Sequence, residues 1–241
     1  MIKSLLKRAA AAKGLELVKK SERRGESGFQ GALRRMAARN IPISTVIDIG
    51  ASDGQWADPM MRIYPNAKYF LIEAQPCHEA ALKTFCAQRP NAEFILAAAG
   101  ESEGEIFFDA TAPLGGRAST TPIEKNGIRV PVTTVDVQVK RKALQGPFLV
   151  KLDTHGFEMP ILRGAAETLK QTELLIIECY NFQIAPEAVK FWQMCAYLDS
   201  IGFSCLDMFD PMYRERDDAL WQMDIVFAKS SREEFKYSRY I

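Results

Sequence analysis

The stretch Val46-Ile47-Asp48-Ile49-Gly50-Ala51-Ser52-Asp53-Gly54-Gln55 sets the organisation of the whole chain. Three of its first four residues are β-branched and suit a strand. The two glycines that follow permit the positive φ of a tight turn. From Gln55 the pattern becomes helical and runs to Tyr64, ahead of Pro65, which cannot continue a helix. The same unit repeats along the chain. Strand-like runs occupy 45–49, 69–73, 93–97, 148–152 and 174–179, several of them nearly continuous in Val, Ile, Leu and Phe. Such runs suit strands covered on both faces. One helical segment begins near Pro76, a good first-turn residue, and stops before Pro90. Another spans about 157–171, with Met159, Ile161, Leu162, Ala165 and Leu169 as its inner side. The alternation predicts an α/β fold: a mostly parallel sheet, doubly wound, with helices on both faces.

Two segments interrupt it. Residues 101–147 predict a β-hairpin insertion, with β-rich runs at 105–110 and 128–139 around a loop at 111–127 rich in Gly, Pro, Ser and Thr. A loop of that length is usually functional or mobile. Further on, 187–201 predicts a helix closed by Gly202, followed by strands at 203–209 and 223–229 joined by the charged loop 210–222. That pair would add an antiparallel C-terminal edge to the sheet.

Composition excludes several classes. Of 241 residues, 47% are hydrophobic and 25% charged, so neither disorder nor a collagen-like or purely coiled-coil chain is expected. No apolar run approaches the roughly 20 residues that span a bilayer. The start, MIKSLLKRAAAAKG, is too short in apolar residues for a secretory signal. The five cysteines have no CxxC spacing, and Cys179 and Cys205 fall in apolar strand-like runs. Buried reduced thiols and a cytoplasmic location follow as expectations, without zinc or redox motifs. The net charge of +1 conceals an asymmetry: residues 1–41 hold 11 Lys/Arg against 3 Asp/Glu, leaving 20 against 27 in the remainder. The expected organisation is a basic helical N-terminal extension at 1–41 and one domain at 42–241, with 101–147 as its insertion and lid. The extension reads either as a solvated helix on the domain's edge or as an arm for an anionic membrane surface. A nucleic-acid partner is not expected.

The glycine turn narrows the ligand. Its Gly-x-x-x-Gly spacing differs from the Gly-x-Gly-x-x-Gly of dinucleotide binders, and it lacks the Lys-Ser/Thr pair of a phosphate-gripping loop. With Asp48 two residues before Gly50, it suits a ligand bearing an ammonium and a carboxylate, such as the methionine part of S-adenosylmethionine. Glu73 ends the next strand, where a carboxylate can accept both hydroxyls of a ribose. A free diol belongs to S-adenosylmethionine and NAD alike, so Glu73 alone does not decide between them.

A third block, Val150-Lys151-Leu152-Asp153-Thr154-His155-Gly156-Phe157-Glu158 followed by Leu162-Arg163-Gly164-Ala165, completes a pattern. With the turn at 48–54 and Ile72-Glu73-Ala74-Gln75-Pro76, it resembles the FkbM-type family of S-adenosylmethionine-dependent methyltransferases. That family shows an Asp-x-Gly-Ala-x-x-Gly-Gln turn, an Ile-Glu-Pro-type strand end and a Lys-x-Asp-x-Glu-Gly-x-Glu-x-x-x-Leu-x-Gly-Ala block. The resemblance covers roughly 45–179 and, weakly, the strand Asp224-Ile225-Val226-Phe227. It departs in two places: His155 stands where the family usually has Glu, and Ala74-Gln75 replaces Pro-Asn.

The resemblance implies a Rossmann-like sheet of the class I methyltransferase type and transfer of a methyl group from S-adenosylmethionine to a hydroxyl of a small molecule or glycan. It assigns Asp48, Gly50, Ser52, Asp53 and Gly54 to the methionine end, Glu73 to the ribose and Ala98 to the adenine side. His155 titrates near neutral pH just past a strand end and is the candidate general base, with Asp153 to orient it. Arg117 and Ser119, on the insertion tip, are candidate acceptor contacts, as are Glu178 and Asn181. No metal is expected, although Asp153 and Glu178, with Asn181 behind, are the oxygen ligands a divalent ion would find. His78 reads as a structural residue at an exposed helix start, and Trp192 as core. Trp56, Tyr180 and Phe182 either stack on a sugar ring or fill the interior. Two other classes stay open: a different adenosine-cofactor enzyme such as a dehydrogenase, and a non-catalytic binding module targeted by the basic arm.

Overall fold

The computed structural model describes residues 27–240. Most of the basic arm, 1–26, lies outside the described residues. Its last part forms α1 (Phe29–Arg39). The domain then runs β1 (Thr45–Ile49), α2 (Ala57–Ile63), β2 (Lys68–Glu73), a 3₁₀ turn at Pro76–His78, α3 (Glu79–Ala87), β3 (Ala92–Leu96) and β4 (Ala98–Ala99). Next come β5 (Gly104–Asp109), β6 (Arg117–Ser119), β7 (Gly127–Thr133), α4 (Val135–Arg141), β8 (Phe148–Leu152), α5 (Glu158–Arg163) and α6 (Ala166–Lys170). The chain continues through β9 (Thr172–Tyr180), α7 (Phe191–Ser200), β10 (Phe203–Tyr213), β11 (Leu220–Lys229) and α8 (Glu233–Lys236).

Seven strands form the main sheet in the order β10-β11-β9-β8-β1-β2-β3. From β3 across to β9 all neighbours are parallel, and β11 is antiparallel to both β9 and β10. The fold is thus a doubly wound, Rossmann-like sheet with an antiparallel C-terminal edge. Every residue of β1 and β8 is buried. Their side chains alternate between two cores: Val46 and Leu149 face one, with α1, α2 and α3, while Ile47 and Val150 face the other, with α5, α6 and α7. Strand order reverses between β1 and β8, and ligands of such sheets bind at the carboxyl ends beside that switch point.

Several local expectations are corrected. The insertion is more than a hairpin: β5, β6 and β7 join β4 in a second sheet ordered β4-β7-β5-β6. Residues 135–141 are helical rather than extended, because Thr134 accepts a hydrogen bond from the Val137 N–H and caps α4 despite the run of valines. The single helix expected at 157–171 is two, α5 and α6. A Cβ on Gly164 would lie 2.0 Å from the carbonyl oxygen of Gly100, so the chain bends where the two backbones touch. The terminal strands are longer than expected, and β11 lies inside the sheet, leaving β10 as the edge. Trp192 is 47% exposed on α7, away from the core. Cys205 is exposed, unlike the buried Cys179, because it sits on edge strand β10.

The extension docks on that edge. Arg35 forms a two-pronged ion pair with Asp207, with Nε–Oδ2 2.6 Å and Nη2–Oδ1 3.0 Å. The Phe29 ring stacks on Phe209 with centroids 5.5 Å apart. No helix among the described residues is long and apolar enough to cross a membrane.

Candidate active site

The turn after β1 is shaped by its neighbours. Gly50 has φ +74°, and a Cβ there would lie 1.9 Å from the Asp153 carbonyl oxygen, so only glycine lets β8 exit past it. Glu73, buried at the end of β2, accepts the Ser52 N–H through Oε2 and the Gln75 N–H through Oε1, both at 2.7 Å. One carboxylate therefore ties the first strand's turn to the second strand's end. Each oxygen keeps acceptor capacity for a further donor.

Beneath the turn lies a buried cation. Lys151 Nζ sits 3.1 Å from Asp48 Oδ1, 3.3 Å from Asp153 Oδ2 and 3.1 Å from the Gly50 carbonyl oxygen. Burial works against this ammonium, but the two carboxylates outweigh it and hold its pKa above the ordinary lysine range. Burial pushes Asp48 up to about 6 while Lys151 pulls the other way. Asp48 is wholly inaccessible. Its expected place against the ligand is corrected: it faces Lys151 under the turn, because an unpaired ammonium in a buried strand would be costly.

Above the turn a cavity of about 250 Å³, partly open to solvent, follows the carboxyl edge of the sheet. Gly50, Ser52 and Glu73 line one end, Ala98 and Phe108 a side wall, and Asp153, His155 and Glu178 the other end. Asp53 and Gly54 are outside its lining. Asp53 instead binds Gln55, accepting from its N–H at 3.1 Å and its Nε2 at 2.6 Å, and so closes the turn. The insertion roofs the cavity with residues 113–116. Gln75 Nε2 donates to the carbonyls of Ala112 (3.3 Å) and Pro113 (3.0 Å). His78 Nε2 lies 2.9 Å from the Pro113 carbonyl oxygen and 3.5 Å from Ser52 Oγ. His78 is buried, correcting its expected exposure: the 3₁₀ turn points its ring inward, under the roof.

At the other end three side chains converge. His155, itself at φ +54°, has Nδ1 3.1 Å from the Gly116 carbonyl oxygen. A carbonyl can only accept, so Nδ1 carries a hydrogen, and in the neutral ring Nε2 then offers a lone pair. Nε2 stands 3.8 Å from Asp153 Oδ1 and 3.7 Å from Glu178 Oε2. The Tyr180 hydroxyl and the Gln222 side-chain amide both donate to Glu178. Burial, then the Asp153 charge, pushes Glu178 up to about 8. Asp224, opposite it on β11, reaches about 8 through burial and then the charges of Glu178 and Asp153. Burial also raises Asp153, but the Lys151 charge outweighs it and leaves that carboxyl below its usual range. The loop carrying His155 is fixed by buried Glu158, which accepts from Thr154 Oγ1 and the Gly156 N–H, both at 3.0 Å.

His155 and Glu178 also line an adjoining groove of about 790 Å³, together with Arg117, Phe182, Arg214 and Trp221. Phe182 stacks on Trp221 with centroids 5.4 Å apart, and the Arg214 guanidinium lies 4.4 Å from the Phe182 ring centre. Arg117 donates to the Ile184 carbonyl at 3.0 Å. Ser119 lines neither space, because its hydroxyl closes a local turn on the Thr121 carbonyl at 2.9 Å. Asn181 also stands apart from both, clamped to β11 by its N–H to Trp221 O (2.9 Å) and Nδ2 to Leu220 O (3.1 Å). Lys151 carried a readable signal, a lone charge in the apolar run Phe148-Leu149-Val150-Lys151-Leu152. Gln75, His78, Gln222 and Asp224 carried none, since they enter the site only through tertiary pairing.

A family model described as the methyltransferase FkbM domain matches residues 48–205. Among solved structures, the chain is similar to a methyltransferase FkbM from Methylobacillus flagellatus KT, at 15% identity and TM-score 0.49 over 76% of this chain and 43% of that one. An uncharacterized protein from Listeria monocytogenes serotype 4b is similar at 12% identity and TM-score 0.47, covering 83% and 68%. M. capricolum TrmK, solved with S-adenosyl-homocysteine, is similar at 13% identity and TM-score 0.46, covering 89% and 71%. The chain spans less than half the length of the first of these. No curated protein matches the chain.

Proposed function

The chain belongs to the FkbM methyltransferase family, and from that premise we propose that it moves a methyl group from S-adenosylmethionine to a hydroxyl of a small molecule or glycan. One observation carries this reading: Glu73 from the tip of β2 and the Asp153–His155–Glu178 trio from β8 and β9 line one cavity along the sheet's carboxyl edge. Spare acceptor capacity on Glu73 fits a ribose diol, the Gly50–Ser52 backbone fits the methionine end, and apolar Ala98 fits the adenine side. Asp48 would act from below, through Lys151, by holding the Gly50 carbonyl in place. Asp53 and Gly54 would shape the turn without touching the ligand.

When bound, S-adenosylmethionine supplies a methyl group whose carbon–sulfur bond breaks onto sulfur as the acceptor oxygen attacks. The protein's part is positioning and exclusion of water. The roof at 113–116 shields the reacting end, and the aromatic groove, with Arg117 on its rim, would hold the acceptor. His155 Nε2 is the ring nitrogen free to take the hydroxyl proton, with Asp153 beside it.

Calorimetry with S-adenosylhomocysteine tests this. The wild-type protein should bind it and ignore NAD, and Glu73→Ala should weaken binding at least tenfold, about 1.4 kcal/mol. Equal affinity in the variant, or preference for NAD, would overturn the reading.

A further inference from the structure

The trio has a property that proton transfer leaves unexplained. With Nδ1–H committed to Gly116, His155 turns a lone pair toward two carboxylate oxygens. His155 Nε2 stands 3.8 Å from the Asp153 oxygen and 3.7 Å from the Glu178 oxygen, too far for a hydrogen bond to either. One atom from each residue lies within 4.8 Å of the others. A point equidistant from three atoms so spaced is about 2.4 Å or less from each, within the bond lengths of divalent cations to oxygen.

We propose that Asp153, His155 and Glu178 bind one divalent cation, Mg²⁺ or Mn²⁺, where the cavity meets the groove. Two carboxylate oxygens and one imidazole nitrogen suit these ions, and such a set leaves coordination positions for water or an acceptor's hydroxyl. Every ligand has an outer partner that fixes it. Gly116 holds Nδ1, Lys151 holds the other Asp153 oxygen, and Tyr180 with Gln222 holds Glu178. The inference deepens the proposed function and rests on it only in giving the open positions to an acceptor. With the cation bound, Nε2 would be a ligand rather than the base, and a hydroxyl on the cation, acidified as metal-bound water is, would release its proton to solvent.

The test uses the full chain, stripped with chelator and titrated with Mn²⁺, free ion being read by electron paramagnetic resonance. One Mn²⁺ per chain is expected, weakened at least tenfold in Glu178→Gln and in His155→Ala and unchanged in Glu103→Gln on the insertion's outer rim. No stoichiometric binding, or binding kept by both site variants, overturns the site. Should a variant fail to fold, electron spin-echo modulation on the wild-type Mn²⁺ complex decides: coupling to one imidazole nitrogen supports the site, and its absence overturns it. Calorimetry with S-adenosylhomocysteine on the same sample reads the cofactor proposal separately. Loss of one ligand with retention of the other shows which of the two readings has failed.

Discussion

The two ends of the cavity are constructed by different means. At the Glu73 end, the turn after β1 and the tip of β2 come from about one strand–helix–strand unit, and backbone N–H groups do most of the bonding. At the Asp153 end the groups arrive from β8, β9, β11 and the insertion roof, and bond mainly through side chains. The first end needs only correct local chain geometry. The second exists only when four segments distant in sequence share one register. Lys151 joins the two, because its ammonium holds Gly50 and Asp48 on one side and Asp153 on the other.

Substitutions at the join should break both ends together. Gly50→Ala drives a methyl group into the Asp153 carbonyl and should have the largest effect: about 5 kcal/mol lost in urea unfolding, with no measurable binding of S-adenosylhomocysteine. If both are near wild type, the close packing of turn and β8 does not govern the site. Lys151→Met leaves Asp48 buried without its partner and should cost about 3 kcal/mol, the low end for a broken buried pair, because Asp48 can take up a proton. Its pKa, already about 6 beside Lys151, then rises further above the unfolded value. Stability of this variant is therefore fully present at low pH and is lost as pH rises through the folded value. Thermal melts between pH 4 and pH 8 read the slope, and a flat profile would place the charge coupling elsewhere. Tyr180→Phe removes only the hydroxyl donated to Glu178 and should cost about 1 kcal/mol. It should weaken Mn²⁺ while leaving S-adenosylhomocysteine affinity unchanged, and an equal loss of both would mean that the ends are not separable.

The same contrast explains what the sequence disclosed. The runs at 45–49 and 148–152 match β1 and β8 in full, since strands buried on both faces are written as mainly apolar runs, here each with one charge, Asp48 and Lys151. Gly50, Ser52, Glu73, Asp153 and His155 were legible as a group because they end or directly follow β1, β2 and β8, and all of them line the cavity. Side-chain direction was not legible. Asp48 has a ligand-like spacing from Gly50, yet strand alternation turns it downward to Lys151. Ser119 and Asn181 carry plausible functional groups, but local turns and β11 claim them. His78 looked exposed because nothing near it in sequence announces the roof that the insertion lays over it. Val135, Val137 and Val139 favoured a strand by type, and one threonine cap outweighed them.

Because β11 is threaded between β9 and β10, the main sheet cannot close in the order in which it is synthesised. A nascent chain can assemble the Glu73 pocket while β10 and β11 are still inside the ribosome, at an elongation rate of about 5–20 residues per second. Gln222 and Asp224 emerge among the final strands, so the Glu178 centre is finished late, and until then β9 presents an unpaired edge to its surroundings. In the cell the Glu73 pocket would be complete before the Glu178 centre, and the interval is when a chaperone has most to protect.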